Sequence, residues 1–246
     1  MIFFKRALRM SRELKLFVAA SVMMGMAYSI YDSTFNNFVN ERFTLTGFQR
    51  SLMELPRELP GVMVVFISAL LWFLCSRRLG VFALALGAFG ALLVGYVSST
   101  YAALLMCLFV YSLGQHIFIP LTSSIGMELA HEGQTGRRLG QFNAIRNFAT
   151  ILGSFLVFLG FRFLGFTFQH TYVLTAIGLG AAALLMFLMK PDVPKKPKTF
   201  LKLHKEYRLY YILNILTGSR KQIFITFAPW VIVTIFHQPT QTIATL

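Results

Sequence analysis

Charged side chains are missing from three long stretches of the sequence, 59–76, 79–127 and 163–189. About 20 apolar residues in a helix cross the hydrocarbon core of a bilayer, so such stretches are typical of membrane-spanning helices. The pattern therefore predicts an all-α, polytopic membrane protein and excludes a water-soluble domain. Seven crossings are predicted, at 16–38, 52–74, 80–97, 102–127, 140–163, 171–189 and 209–236.

These crossings divide the chain into four regions. A basic segment, 1–15, precedes a bundle of six transmembrane helices, 16–189. A basic linker that contains three prolines, 190–208, leads to the region 209–246, which holds the seventh transmembrane helix. A six-helix unit, followed by a charged linker and the first helix of a second unit, is the arrangement of transporters built from parallel repeats.

The basic residues are distributed unequally between the two sides of the predicted membrane. The chain has 23 Lys and Arg against 9 Asp and Glu, a formal net charge of +14. Sixteen of the 23 fall on the side of the N-terminus and three on the other side. This asymmetry predicts a multi-pass protein of the plasma (inner) membrane with a cytoplasmic N-terminus. Most of the net charge is thus a topology signal, which removes the main support for a nucleic-acid partner, while the lysine-rich stretch 195–205 could contact the lipid bilayer.

Signatures of enzymes, metal sites and cofactor sites are missing from the sequence. His131 and Glu132 begin like a zinc-protease motif, but Thr135 stands where the second histidine would be. The two cysteines lack metal or disulfide spacing, and no phosphate-binding glycine loop with a lysine occurs. The sequence therefore predicts neither an enzyme nor a bound cofactor or metal, and it favours movement driven by a gradient.

Charges inside the apolar spans are the strongest candidates for function, because each costs a few kcal/mol in the membrane unless it is paired or hydrated. Asp32 of the first span lies at a depth similar to that of Glu54, Arg57 and Glu58 of the second. Arg57 can bridge to Glu54 or across to Asp32. Two interpretations stay open: an acid that takes up and releases a proton, and a static ion network.

Three basic residues lie at or below the predicted midplane. Arg146 belongs to the fifth span, and Arg220 and Lys221 belong to the seventh, close after Gly218, where a helix break is easiest. Together they suggest an anionic substrate, or an anionic group on it. The alternative is that Arg146 extends towards the cytoplasm or pairs with Glu128.

Two tyrosines and a histidine complete the candidates within the spans. Tyr28 and Tyr31 partly share a helix face with Asp32 and could line a cavity, although aromatic residues near a membrane boundary are commonly interfacial anchors. His116 of the fourth span is either a proton carrier or, as is more common for a single histidine in a helix, a packing residue.

Two motifs resemble those of the major facilitator superfamily of transporters. Arg77-Arg78-Leu79-Gly80 resembles the family's cytoplasmic Asp-Arg-x-Gly signature, and Gly136-Arg137-Arg138-Leu139-Gly140 is similar to its Gly-Arg-x-x-Gly entry to the fifth helix. The resemblance implies gating roles for the following loop residues: Arg77, Arg78, Gly80, Arg137 and Arg138. Because Arg77 stands where the signature has its Asp, the acidic cap and its usual pairing stay open.

The resemblance also implies an architecture and a function. The chain would be a six-helix bundle of the major facilitator type plus a seventh transmembrane helix, the N-terminal half and the start of the C-terminal half of a longer protein. It would be a secondary active transporter of a small solute by alternating access. Protons are a candidate coupling ion because of the acids within the spans, Asp32, Glu54 and Glu58. The alternative is a non-transporting membrane subunit, regulatory or for assembly, whose buried charges pair statically.

Overall fold

The computed structural model describes residues 11–193 and 204–245, except for the side chains of Ser219, Lys221 and Gln222. This part of the chain is helical and without strands, which confirms the all-α prediction. The helices are α1 Arg12–Phe43, α2 Gly47–Leu52, α3 Glu54–Leu70, α4 Ser76–Tyr96, α5 Tyr101–Glu128, α6 Thr135–Phe163, α7 Phe168–Phe187, α8 Arg208–Thr234 and α9 Thr240–Ile243, with one 3₁₀ turn, Lys205–Tyr207, before α8.

Each predicted crossing coincides with one long helix. Five of these helices, α1 and α4 to α7, combine the length and the apolar composition that a bilayer crossing needs. Helix α3 is shorter, with 17 residues, and it carries three charged side chains. Most of the predicted basic segment and most of the predicted linker lie outside the described residues. The division of the chain into a six-helix bundle and a seventh crossing therefore stays a prediction.

The long helices pack side by side in a defined order. Contacts run from α3 to α5, then to α4, α7, α1 and α6, so that α3 and α6 are the two edge helices. The near end of the bundle is the end at which α1 begins, and the far end is the end at which α1 terminates. Helix α6 also touches α5 and the short α9, but few residues of α3 or α6 are buried, so both helices leave most of their surface available to lipid, water or a partner.

Glycines set the close spacing of α4 and α5. A methyl group on Gly114 would collide with the backbone of Gly87, and one on Gly90 would collide with the backbone of Tyr111. Small residues at a helix contact allow this approach of the two backbones. The approach places Tyr111 in the core, where it is buried against α1.

Candidate functional site

Six polar side chains come together at the far end, and we call them the far-end cluster: Asp32, Arg50, Glu54, Arg57, Glu58 and His116. At its centre, the Arg57 guanidinium lies 3.8 Å from the Glu54 carboxylate and 3.9 Å from the Asp32 carboxylate. Both contacts that the sequence offered as alternatives for Arg57 are therefore present. The Asp32 side chain is 52% exposed, which leaves this carboxylate accessible although it belongs to a long apolar helix.

Arg50 also belongs to the cluster, although the sequence places it in the connection between the first two predicted crossings. Its Nη1 donates to Glu54 Oε1 at 2.6 Å, and its Nη2 donates to Asn36 Oδ1 at 3.3 Å. The side chain is 1% exposed, and Nη2 also donates to the Thr226 carbonyl of α8 at 3.4 Å. The four-residue spacing between Arg50 and Glu54 was the signal that could have revealed the pair.

His116 links α5 to α3. Its Nε2 lies 3.7 Å from Glu58 Oε2, and its Nδ1 lies 2.9 Å from the Ser112 hydroxyl, which donates to the Arg57 carbonyl. A methyl group on Gly61 would approach the His116 ring to 2.9 Å, so the glycine provides the space for the imidazole. The histidine therefore has a hydrogen-bonding group and an acid within reach, a geometry that fits both packing and proton exchange.

The two candidate tyrosines pack against other aromatic rings next to the cluster. The Tyr31 ring stacks on the Tyr111 ring with centroids 3.9 Å apart, and Tyr28 meets Tyr111 edge-on at 6.4 Å. Tyr31 is 2% exposed, and it also contacts Tyr172 of α7 edge-on. The interfacial-anchor interpretation is therefore wrong for Tyr31, whose aromatic contacts hold the segment of α1 that carries Asp32.

At the near end, Arg77 joins several elements of the bundle. Its guanidinium lies 2.9 Å from the Glu13 carboxylate of α1 and 2.7 Å from the Glu128 carboxylate of α5. It also donates to the Lys190 carbonyl, after α7, at 2.6 Å. Because Glu128 binds Arg77, the predicted alternative in which Glu128 pairs with Arg146 is not what the structure shows.

Asp192 supplies the acidic cap that the Arg77-Arg78-Leu79-Gly80 loop lacks. Its carboxylate accepts the backbone N–H groups of Ser76 at 3.1 Å and Arg77 at 3.0 Å, at the first turn of α4. Such a carboxylate satisfies free N–H groups and interacts favourably with the helix dipole. Partial burial opposes ionisation, but hydrogen bonds from the Arg77 backbone, the Cys75 side chain and the Ser76 backbone outweigh it and hold the pKa of Asp192 below its usual range.

The other predicted gating residues divide into two groups. Arg78 donates to the Phe187 carbonyl at 2.9 Å and lies 4.3 Å from the centre of the Phe187 ring, and Gly80 is buried against α5 and α7. Arg137 is exposed, and Arg138 bonds within its own helix, at the start of α6. Arg78 and Gly80 of the first motif therefore take part in the packing at the near end, whereas Arg137 and Arg138 of the second motif do not.

The structure does not gather the three basic residues into one site. Arg146 lies on α6 beside Gly25 of α1, and Arg220 is on an exposed part of α8, which packs on α1. Helix α8 continues through Gly218 without a break. The side chain of Lys221 lies outside the described residues.

The chain matches no protein-family model and no curated protein in sequence. Its fold is similar to that of two solved structures. One is an auto-inhibited peptide transporter of the POT family, with a TM-score of 0.57 and 16% identity, covering 77% of this chain and 40% of that one. The other is a mutant of the peptide transporter POT in complex with sulfate, with a TM-score of 0.56 and 15% identity, covering 93% and 48%.

The chain thus spans less than half the length of either solved transporter. At these identities the likeness concerns the fold alone: an all-helical arrangement with several apolar helices.

Proposed function

We propose that this chain supplies one half of a secondary active transporter that moves a small solute across the plasma (inner) membrane by alternating access. The likeness to solved transporters over 93% of the chain supports this proposal. So does the excess of basic residues on the side of α1's first residue, which favours a cytoplasmic near end. In this arrangement the far-end cluster lies towards the outer face of the membrane.

The observation that carries the proposal is the unequal pairing within the far-end cluster. Arg50 and Glu54 form a short contact of 2.6 Å with Arg50 buried, whereas Arg57 and Asp32 are 3.9 Å apart with Asp32 half exposed. A long, exposed ion pair contributes little stability, so its loss costs little. Asp32 is therefore the carboxylate that can exchange its contact with Arg57 for a proton, while Glu54 stays fixed.

This exchange would act on the link between α1 and α3. Both helices pack mainly on other helices, α1 on α6 and α7, and α3 on α5. Asp32 bridges them directly through Arg57 of α3. Asn36 bridges them indirectly, through Arg50 of α2, which binds Glu54 of α3. Protonation of Asp32 removes one of the two bridges. We propose that the bridge opens when the transporter changes state, while Glu58 and His116 hold α3 to α5.

Proton movement in sealed proteoliposomes tests this proposal, with the purified transporter containing this chain together with the half that completes it. With an imposed pH gradient and a panel of solutes, a pH-sensitive dye inside the vesicles should report proton uptake that depends on one solute. Asp32→Asn should abolish that uptake. The matched control is Glu132→Gln, because Glu132 is an exposed carboxylate in the loop before α6. Unchanged proton uptake in Asp32→Asn would contradict the coupling role.

The non-transporting interpretation is favoured by one feature, the tight pairing of Arg50 and Arg77 within the fold. A regulatory or assembly subunit needs only such static pairs. For such a subunit, no solute should cause proton or solute movement in proteoliposomes. Asp32→Asn should then change the stability of the protein alone.

A further inference from the structure

Helix α6 has two different exposed faces. At about 100° of rotation per residue, five polar residues fall within a sector of about 100°: Asn143, Arg146, Asn147, Thr150 and Ser154. Four large apolar residues that are exposed occupy another sector of about the same width: Phe148, Ile151, Leu152 and Phe155. Lipid suits the apolar sector, whereas amides and a guanidinium in a bilayer require water or a polar partner.

The polar sector of α6 continues onto α1. The Ser29 hydroxyl donates to the Thr150 carbonyl at 2.7 Å, and the Ser154 hydroxyl lies 2.7 Å from that of Ser29 and 3.2 Å from that of Ser33. These hydrogen bonds fix α6 against α1 along a polar seam. We call the surface beside this seam the α1–α6 groove, formed by Asp32 and Ser33 of α1 and by Asn143, Arg146, Asn147 and Thr150 of α6.

The groove has a negative and a positive end. Arg146 lies beside Gly25, and Asp32 is seven residues after Gly25, which places Asp32 on the same face of α1 about 10 Å farther along the axis. A methyl group on Gly25 would approach the Arg146 carbonyl to 2.9 Å, so the backbone that carries Arg146 is in close contact with α1. Packing therefore fixes the backbone position from which the Arg146 side chain extends.

Arg146 differs from three other arginines of the bundle because it has no acidic partner among the described residues. Arg50, Arg57 and Arg77 each have a carboxylate within 4.0 Å. Among the described residues, no acidic side chain contacts Arg146, and Glu128, the candidate in the sequence, contacts Arg77 instead. An uncompensated charge at this depth favours the binding of an anion.

We propose that the α1–α6 groove binds a carboxylate or phosphate group of the transported solute at Arg146. The planar guanidinium can donate two parallel hydrogen bonds to either group, and Asn143 and Asn147 add amide donors on the same sector. This inference rests on the proposed transport function and adds the substrate class to it, an anionic small molecule.

Equilibrium binding to the full chain in lipid nanodiscs tests the groove without any gradient. The probes are succinate and inorganic phosphate, with succinamide as the neutral analogue, titrated by calorimetry in discs of phosphatidylcholine. Wild-type protein should bind at least one anion and not succinamide. Arg146→Gln should weaken that binding about 10- to 100-fold. Arg146→Lys, which keeps the charge but loses the planar fork, should give a smaller loss.

Arg162→Gln is the matched control, because Arg162 is an exposed arginine at the other end of the same helix and should leave the affinity unchanged. Equal anion affinity in wild type and Arg146→Gln, or no binding of either anion, would overturn the proposal. A second set of discs with phosphatidylglycerol distinguishes a lipid headgroup as the anion. Retention of phosphatidylglycerol that depends on Arg146 and that neither soluble anion competes away would also overturn it.

The proposal and the transport function on which it rests fail in different ways. Anion binding that depends on Arg146, without solute movement in proteoliposomes, contradicts the transport function. Transport of an anion that is unchanged by Arg146→Gln contradicts the groove and leaves the transport function standing.

Discussion

The two edge helices of the bundle carry their charges in opposite ways. On α3, Arg57 contacts acidic side chains from its own helix and from α1, and the neighbouring Arg50 is buried against Glu54. On α6, Arg146 occupies a polar sector without an acidic contact among the described residues. A charge that is compensated within the fold contributes to the structure, whereas a charge that lacks such a partner is available to a ligand.

The far-end cluster contains a second, smaller contrast. Its buried contact, from Arg50 to Glu54, is 2.6 Å long, and its half-exposed contact, from Arg57 to Asp32, is 3.9 Å long. Breaking the first leaves a charge in the interior, whereas breaking the second leaves an accessible carboxylate. The cluster therefore combines one fixed pair with one that can be exchanged.

The largest expected effect is on stability, and it separates Arg50 from Arg146. Removal of one member of a buried ion pair costs about 3 kcal/mol, so Arg50→Met should lower the free energy of unfolding by about that amount. Arg146→Met should change it by less than about 1 kcal/mol, because no ion pair is lost. Unfolding of the purified variants in mixed detergent and denaturant micelles measures both. Equal losses would remove the distinction between the two helices.

The contact between Gly25 and the Arg146 backbone gives the next largest effect. Gly25→Ala places a methyl group 2.9 Å from the Arg146 carbonyl, and the overpacking should cost about 2 kcal/mol. It should also weaken anion binding, because α6 must move away from α1. Gly180→Ala in α7 is the control, since a methyl group there meets nothing within 4 Å and should be neutral or slightly stabilising. Full stability and full anion affinity in Gly25→Ala would show that Arg146 is not held by this contact.

A pair of double-mutant cycles tests whether Glu128 forms its ion pair with Arg77 or with Arg146. Arg77 and Glu128, 2.7 Å apart, should show a coupling free energy of about 1 kcal/mol when each is replaced by glutamine. Arg146 and Glu128 should show none. Stability measurements on the single and double variants give both values. Coupling between Arg146 and Glu128 would mean that the groove arginine has an internal partner.

Replacement of Asp192 should produce the smallest effect on stability, and the size of that effect depends on pH. Because the folded state lowers the pKa of this carboxyl, its contribution to stability is present above the unfolded pKa of about 3.9 and is lost as the pH falls through the folded pKa. Asp192→Asn should therefore be less stable than wild type at pH 7, with a difference that shrinks below about pH 4. Thermal unfolding of both proteins across this range checks it, and a difference that is constant with pH would argue against the cap.

Sequence reasoning succeeded where the deciding interactions are local. The seven long helices follow from long, mainly apolar stretches, and the contact between Arg57 and Glu54 follows from their three-residue spacing. The partners of Arg77 could not be found in this way, because Asp192 lies 115 residues away and only the tertiary fold brings it to α4. The burial of Arg50 was missed for the same reason, since α1 and α8 cover it.

The central claim is that the polar sector of α6 lines a water-filled space that a solute can enter, and thiol accessibility tests it most directly. Asn147→Cys and Phe155→Cys place single reporters on the polar and apolar sectors, while the native Cys75 and Cys107 are buried. In intact membranes, a charged, water-soluble thiol reagent should label Asn147→Cys readily and Phe155→Cys hardly at all. Equal labelling of the two positions, or labelling of Phe155→Cys alone, would contradict the account.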